Sequence, residues 1–116
     1  MTRSLPLLLA ALATPWAAVA EAPLVALSIN YACAGGAVLE VAYLNPAGSA
    51  SLAVVGWGGR LVPMQEGPAA SGARYVAVDA ASGLVWHSKG NEGALFHEAA
   101  GGDDSTLLSD CVAVGR

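Results

Sequence analysis

Leu27-Ser28-Ile29-Asn30-Tyr31-Ala32-Cys33 is followed by the turn Ala34-Gly35-Gly36 and then by Leu39-Glu40-Val41-Ala42-Tyr43. In both segments an apolar side chain recurs at every second position. Successive side chains of a strand point to opposite faces, so this alternation describes two strands with one face buried. The glycine pair between them supplies a turn, and the two segments read as a β-hairpin.

The same pattern continues outward from that hairpin. Asn45-Pro46-Ala47-Gly48 is a strong turn, and Leu52 to Val55 a third strand. Gly56-Trp57-Gly58-Gly59 is a tight connection to a fourth strand, Arg60 to Gln65, which Glu66-Gly67-Pro68 ends. Arg74 to Asp79 and Leu84 to Ser88 are joined by Ala80-Ala81-Ser82-Gly83. Ala94 to Glu98, an acidic loop over Ala99 to Ser105, and Leu107 to Ala113 complete the series. No helical period competes with these strands. The expected fold is all-β: a small antiparallel β-barrel of about eight strands, with short sequential links. An interior of that size is filled by side chains, so a solid core without a ligand cavity is expected.

The chain has 116 residues, enough for one domain. Residues 1–20 read as a cleavable signal peptide rather than as part of it. Arg3 is the only charge there, Leu5 to Ala13 is apolar apart from Pro6, and Ala18-Val19-Ala20 is a small-x-small cleavage site before Glu21. The apolar run is shorter than the roughly 20 residues a membrane span requires. The first cysteine, Cys33, lies well past the cleavage site, too late to carry a lipid. The expected mature domain, residues 21–116, is therefore exported, has no membrane anchor and is placed in the periplasm.

Cys33 and Cys111 lie near the two ends of that domain. In an oxidising compartment they read as a disulfide tying the first strand to the last. A metal or redox role is the alternative, but the spacing is far from C-x-x-C. The mature domain carries four basic residues against nine acidic ones, a net charge of −5. Nucleic acid is thereby disfavoured as a partner, and a basic protein is compatible.

Enzyme signatures are scarce: G-x-S-x-G, H-E-x-x-H and the P-loop are all missing. His87 and His97 would need a third ligand to hold a metal, and read as exposed structural histidines. A nucleophilic pairing of Ser71 with Lys89 or His87 would need an oxyanion hole and a cleft that a filled barrel lacks. No catalytic residue, metal or cofactor is expected.

Two segments stand apart, Ser71-Gly72-Ala73-Arg74-Tyr75 and Trp86-His87-Ser88-Lys89-Gly90. Each reads as a strand-end loop, one tipped with a hydroxyl and the other with an ammonium. Both groups donate hydrogen bonds and one is cationic, which suits carboxylate recognition if the loops are neighbours. The bland alternative is a pair of ordinary turns.

These segments, with the opening Tyr31-Ala32-Cys33 and the closing Cys111, resemble the membrane-bound and periplasmic inhibitors of c-type lysozyme. The family's pattern is S-G-x-x-Y and, downstream, an aromatic pair followed by x-K-G. His87 stands where that pair usually has Trp. The resemblance implies a small β-barrel that binds a c-type lysozyme, with Ser71, Gly72, Lys89 and Gly90 at the contact and Tyr75 and Trp86 supporting the loops. It implies that Ser71 and Lys89 engage the catalytic acids of the enzyme. The soluble, periplasmic branch fits the late Cys33. A cell-envelope binding or structural module with no lysozyme partner would share the export, the disulfide and the barrel, but not the order of the two motifs.

Overall fold

The computed structural model describes residues 24–46 and 50–115. The expected signal peptide, residues 1–20, lies outside them. Eight strands follow in chain order: β1 (Leu24–Ala32), β2 (Val38–Pro46), β3 (Leu52–Trp57), β4 (Arg60–Gly67), β5 (Ala73–Ala77), β6 (Leu84–Lys89), β7 (Glu92–Glu98) and β8 (Asp104–Gly115). Each pairs antiparallel with the next, and β8 returns to β1, so the sheet is a closed up-and-down barrel. Short 3-10 turns at Ala34–Gly36 and Ala80–Ser82 are the remaining regular elements among the described residues. Among the described residues no helix is long and apolar enough to cross a membrane.

The strand period sorts the side chains as the opening hairpin requires. Tyr31, Leu39 and Val41 turn inward and are buried, while Asn30 and Glu40 are exposed. Ala53, Val55, Met64, Tyr75, Trp86, Leu95 and Leu108 continue the core around the barrel. The interior is thus filled by side chains, the state expected of an eight-stranded barrel. Its centre is aromatic. The Tyr31 and Trp86 rings meet edge-on at 4.9 Å between centroids, and Tyr43 tilts against Tyr75 at 5.6 Å. The Tyr43 hydroxyl accepts from Trp86 Nε1 at 2.8 Å and lies 2.8 Å from the Tyr31 hydroxyl, so the buried polar tips are paired. Burial pushes the Tyr31 phenol well above its ordinary range, and the bond to Tyr43 adds to the shift.

Several strand ends differ from the expected ones. β3 continues through Trp57, so the turn to β4 shrinks to Gly58-Gly59, both at positive φ, as a tight two-residue hairpin demands. β4 runs on to Gly67 instead of ending at Gln65. β8 starts at Asp104, taking in the end of the expected acidic loop. This last strand is irregular. Its register against β7 slips twice, and Asp110 in the first slip has φ 51°. The slip is a β-bulge. It allows Leu108 and Cys111, three positions apart, both to face the core, where strict alternation would have turned one of them outward.

Cys33, just past the end of β1, is bonded to Cys111 in β8. The bond crosses the seam where the barrel closes. That seam is short: β1 pairs with β2 through nine register positions but with β8 through three. With the cysteines separated by 78 positions in sequence, the chain-entropy model credits the link with about 4–5 kcal/mol.

Candidate functional site

Ser71 and Gly72 end the link between β4 and β5, and Lys89 ends β6. β5 and β6 are antiparallel neighbours, with Ala73 opposite Ser88. The start of one is therefore beside the end of the other, and the two motifs meet on one rim of the barrel. The approach is close. Gly72 has φ 67°, and a Cβ there would overlap the Ser88 carbonyl oxygen and lie 3.1 Å from the Lys89 Cβ. Only glycine satisfies both the left-handed backbone and that contact.

Lys89 leads into a two-residue turn, Gly90-Asn91, with Lys89 opposite Glu92. Gly90 takes φ 59° at the first turn position, where a left-handed residue matches the strand twist. The turn is tied down by a hydrogen bond from the Ala113 amide to the Asn91 carbonyl, at 2.8 Å. Ser71, Lys89 and Gly90 are all exposed. Among the described residues the single ion pair is Arg74–Glu98, at 2.6 Å, and Lys89, opposite Glu92, forms none. The rim thus presents one exposed hydroxyl and one exposed ammonium, both able to donate hydrogen bonds.

The second motif is less of a loop than the sequence implies. Trp86 to Lys89 belong to β6, and only the Lys89-Gly90 tip projects. Trp86 points into the barrel and is completely buried; Tyr75, on the neighbouring strand, is buried opposite it. Burial raises the Tyr75 phenol above its ordinary range, with Glu66 and Tyr43 adding and Ser51 opposing. Both aromatic residues belong to the core and do not line the rim. Gly93 makes room for the larger of them, because a Cβ there would overlap the Trp86 indole.

His87 points the other way, outward, and its Nε2 lies 3.0 Å from the Ser71 carbonyl oxygen. Nothing in the chain's local pattern shows this contact, which needs the β5–β6 register to exist. His97 does not join His87. It sits opposite Leu84 at the far end of the hairpin, against Gly83, and on the other face of the sheet.

A surface depression of about 700 Å³ is at that far mouth, ringed by Trp57, Arg60, Asp79 and His97. It contains none of the motif residues. A smaller one of about 480 Å³ flanks the rim between His87, Lys89, Phe96 and Thr106. Ser71 and Lys89 are exposed, and Lys89 borders the smaller depression.

The chain matches the family described as membrane-bound lysozyme-inhibitor of c-type lysozyme over residues 31–104. It is similar to the periplasmic lysozyme inhibitor of C-type lysozyme from Salmonella typhimurium, PliC-St, at 28% identity and a TM-score of 0.69, covering 78% of this chain and 100% of that one. It is also similar to Pseudomonas aeruginosa MliC, whose structure is a complex with hen egg white lysozyme, at 31% identity and a TM-score of 0.62, covering 80% of this chain and 86% of that one. A search of curated proteins finds no match. With most of the barrel matched, including both rim motifs, the chain belongs to the family of membrane-bound lysozyme inhibitors of c-type lysozyme.

Proposed function

We propose that the protein is an exported, periplasmic inhibitor of c-type lysozyme that protects the cell wall by placing Ser71 and Lys89 in the active-site cleft of the enzyme. The observation that carries this reading is the seat of Gly72 on Ser88 and Lys89, which holds an exposed hydroxyl and an exposed ammonium on one rim. Glycoside hydrolysis of this type uses a carboxylic acid and a carboxylate facing the sugar. A hydroxyl can hydrogen-bond one and an ammonium can pair with the other, so both catalytic groups are engaged and the sugar is shut out. The protein needs no chemistry of its own. The complex of the P. aeruginosa relative with hen egg white lysozyme supports the choice of partner.

Charge supports it too. The mature domain, expected from Glu21 onward, carries a net −5, and long-range attraction to a basic enzyme would speed encounter. Residues 1–20 act in this reading as a cleaved export signal, and no lipid follows it.

The test is a cell-wall lysis assay. Mature protein at micromolar excess over a c-type lysozyme is expected to suppress lysis at once, without a time-dependent loss of inhibitor. Undiminished lysis would end the proposal. A pull-down with immobilised lysozyme separates this reading from an envelope module without that partner.

A further inference from the structure

We propose that His87 is a positioning residue for this rim: it latches the Ser71 carbonyl and so sets where the Ser71 hydroxyl stands relative to Lys89. The inference rests on the reading of Ser71 and Lys89 as the partner-contacting pair.

Three consecutive residues of β6 form a platform under the Ser71 loop. Gly72 is seated on the Ser88 carbonyl and the Lys89 Cβ, a steric contact. His87, one residue earlier and on the outer face, adds a polar contact, Nε2 to the Ser71 carbonyl at 3.0 Å. A carbonyl oxygen only accepts, so Nε2 carries the proton, and Nδ1 is the unprotonated nitrogen of the neutral ring. The doubly protonated ring also donates from Nε2, so the latch holds in either charge state.

The loop has need of it. Residues 68–72 lie outside the strands, and Pro68 to Gly72 are exposed. A hydroxyl on such a loop samples many positions unless something fixes the backbone, and ordering it on binding would weaken the complex. Arg74, the direct cross-strand neighbour of His87, does not compete for the carbonyl. Its guanidinium is drawn away to Glu98, at 2.6 Å, across the buried Val85. The imidazole is thus left as the donor that serves Ser71.

The experiment compares wild type with H87F, which keeps a flat ring but no donor, and H87Q, whose amide can still donate. Two quantities are read: the dissociation constant for a c-type lysozyme, and the order parameter of the Gly72 amide in the free mature protein. H87F is expected to bind about tenfold more weakly, chiefly through faster dissociation, and H87Q to stay within about threefold of wild type. The Gly72 amide should become more mobile in H87F alone, with all three melting temperatures alike because the site is on the surface. An unchanged Gly72 amide in H87F overturns the latch whether or not lysozyme binds. Wild-type affinity in H87F despite a loosened loop overturns its role in positioning. If wild type binds no lysozyme, the inhibitor reading fails by itself, and the Gly72 amide still decides whether His87 holds the loop.

Discussion

Gly93 and the indole of Trp86 share one space: a Cβ on Gly93 would overlap Cζ2 and Cη2 of the ring. Trp86 is wholly buried at the centre of the core and has nowhere to retreat. G93A should therefore destabilise the barrel by about 1–3 kcal/mol, the usual range for overpacking. The urea midpoint should fall while the slope of the transition stays the same.

A second expectation concerns the Tyr43 hydroxyl, which serves both Trp86 and Tyr31. Y43F strands the indole N–H without an acceptor inside the barrel. The cost should be about 1–3 kcal/mol. Adding Y31F to Y43F should not restore the loss, since the stranded donor is on Trp86. Equilibrium unfolding of the single and double variants measures both.

Alkaline conditions should weaken the fold. The Tyr31 phenol is raised above its ordinary 10.0 by burial first and by the Tyr43 bond second. In the folded state it keeps its proton where the unfolded chain has lost it, so the stability it contributes is complete below pH 10 and declines as pH rises beyond that. Urea midpoints between about pH 8 and pH 11 should bend downward near the top of the range, and less so in Y31F.

On the functional side, S71A and K89A should each weaken lysozyme inhibition by about ten- to hundredfold, the range for a hydrogen bond to a charged group. The association rate of wild type should fall as salt is raised, through screening of the acidic domain's attraction to a basic enzyme. Stopped-flow association and steady-state inhibition give the two answers. Full inhibition by the double variant would remove the mechanism and leave the family function in place.

Much of the fold was legible in the residues. Alternation at Leu27 to Tyr43 and recurring glycine turns are local signals, and they lead directly to an antiparallel barrel with Cys33 joined to Cys111. The end of β3 and the start of β8 were harder, because Trp57 joins its strand by pairing with Arg60 across the glycine turn and Asp104 by pairing with Glu98 across the acidic loop, and neither pairing shows in the alternation of side chains. The bulge at Asp110, at φ 51°, belongs to the β7–β8 register and does not show in the alternation of its neighbours. The site divided in the same way. Ser71 and Lys89 carry their chemistry in their identity, whereas their proximity depends on the β5–β6 register, and the bond from His87 to Ser71 depends on that register too.

β6 has a further consequence for how such a surface can change over generations. Its two-residue period sends Leu84 and Trp86 into the core and His87 and Lys89 outward. Under the proposed function, substitution at 87 or 89 changes the outer face near the rim without repacking the interior, so this strand can follow a changing lysozyme at little risk to folding. Gly72 and Gly93 have no such latitude, because each is filled from the other side by β6 itself. The strand that offers the protein room to adapt also pins the two neighbours that cannot.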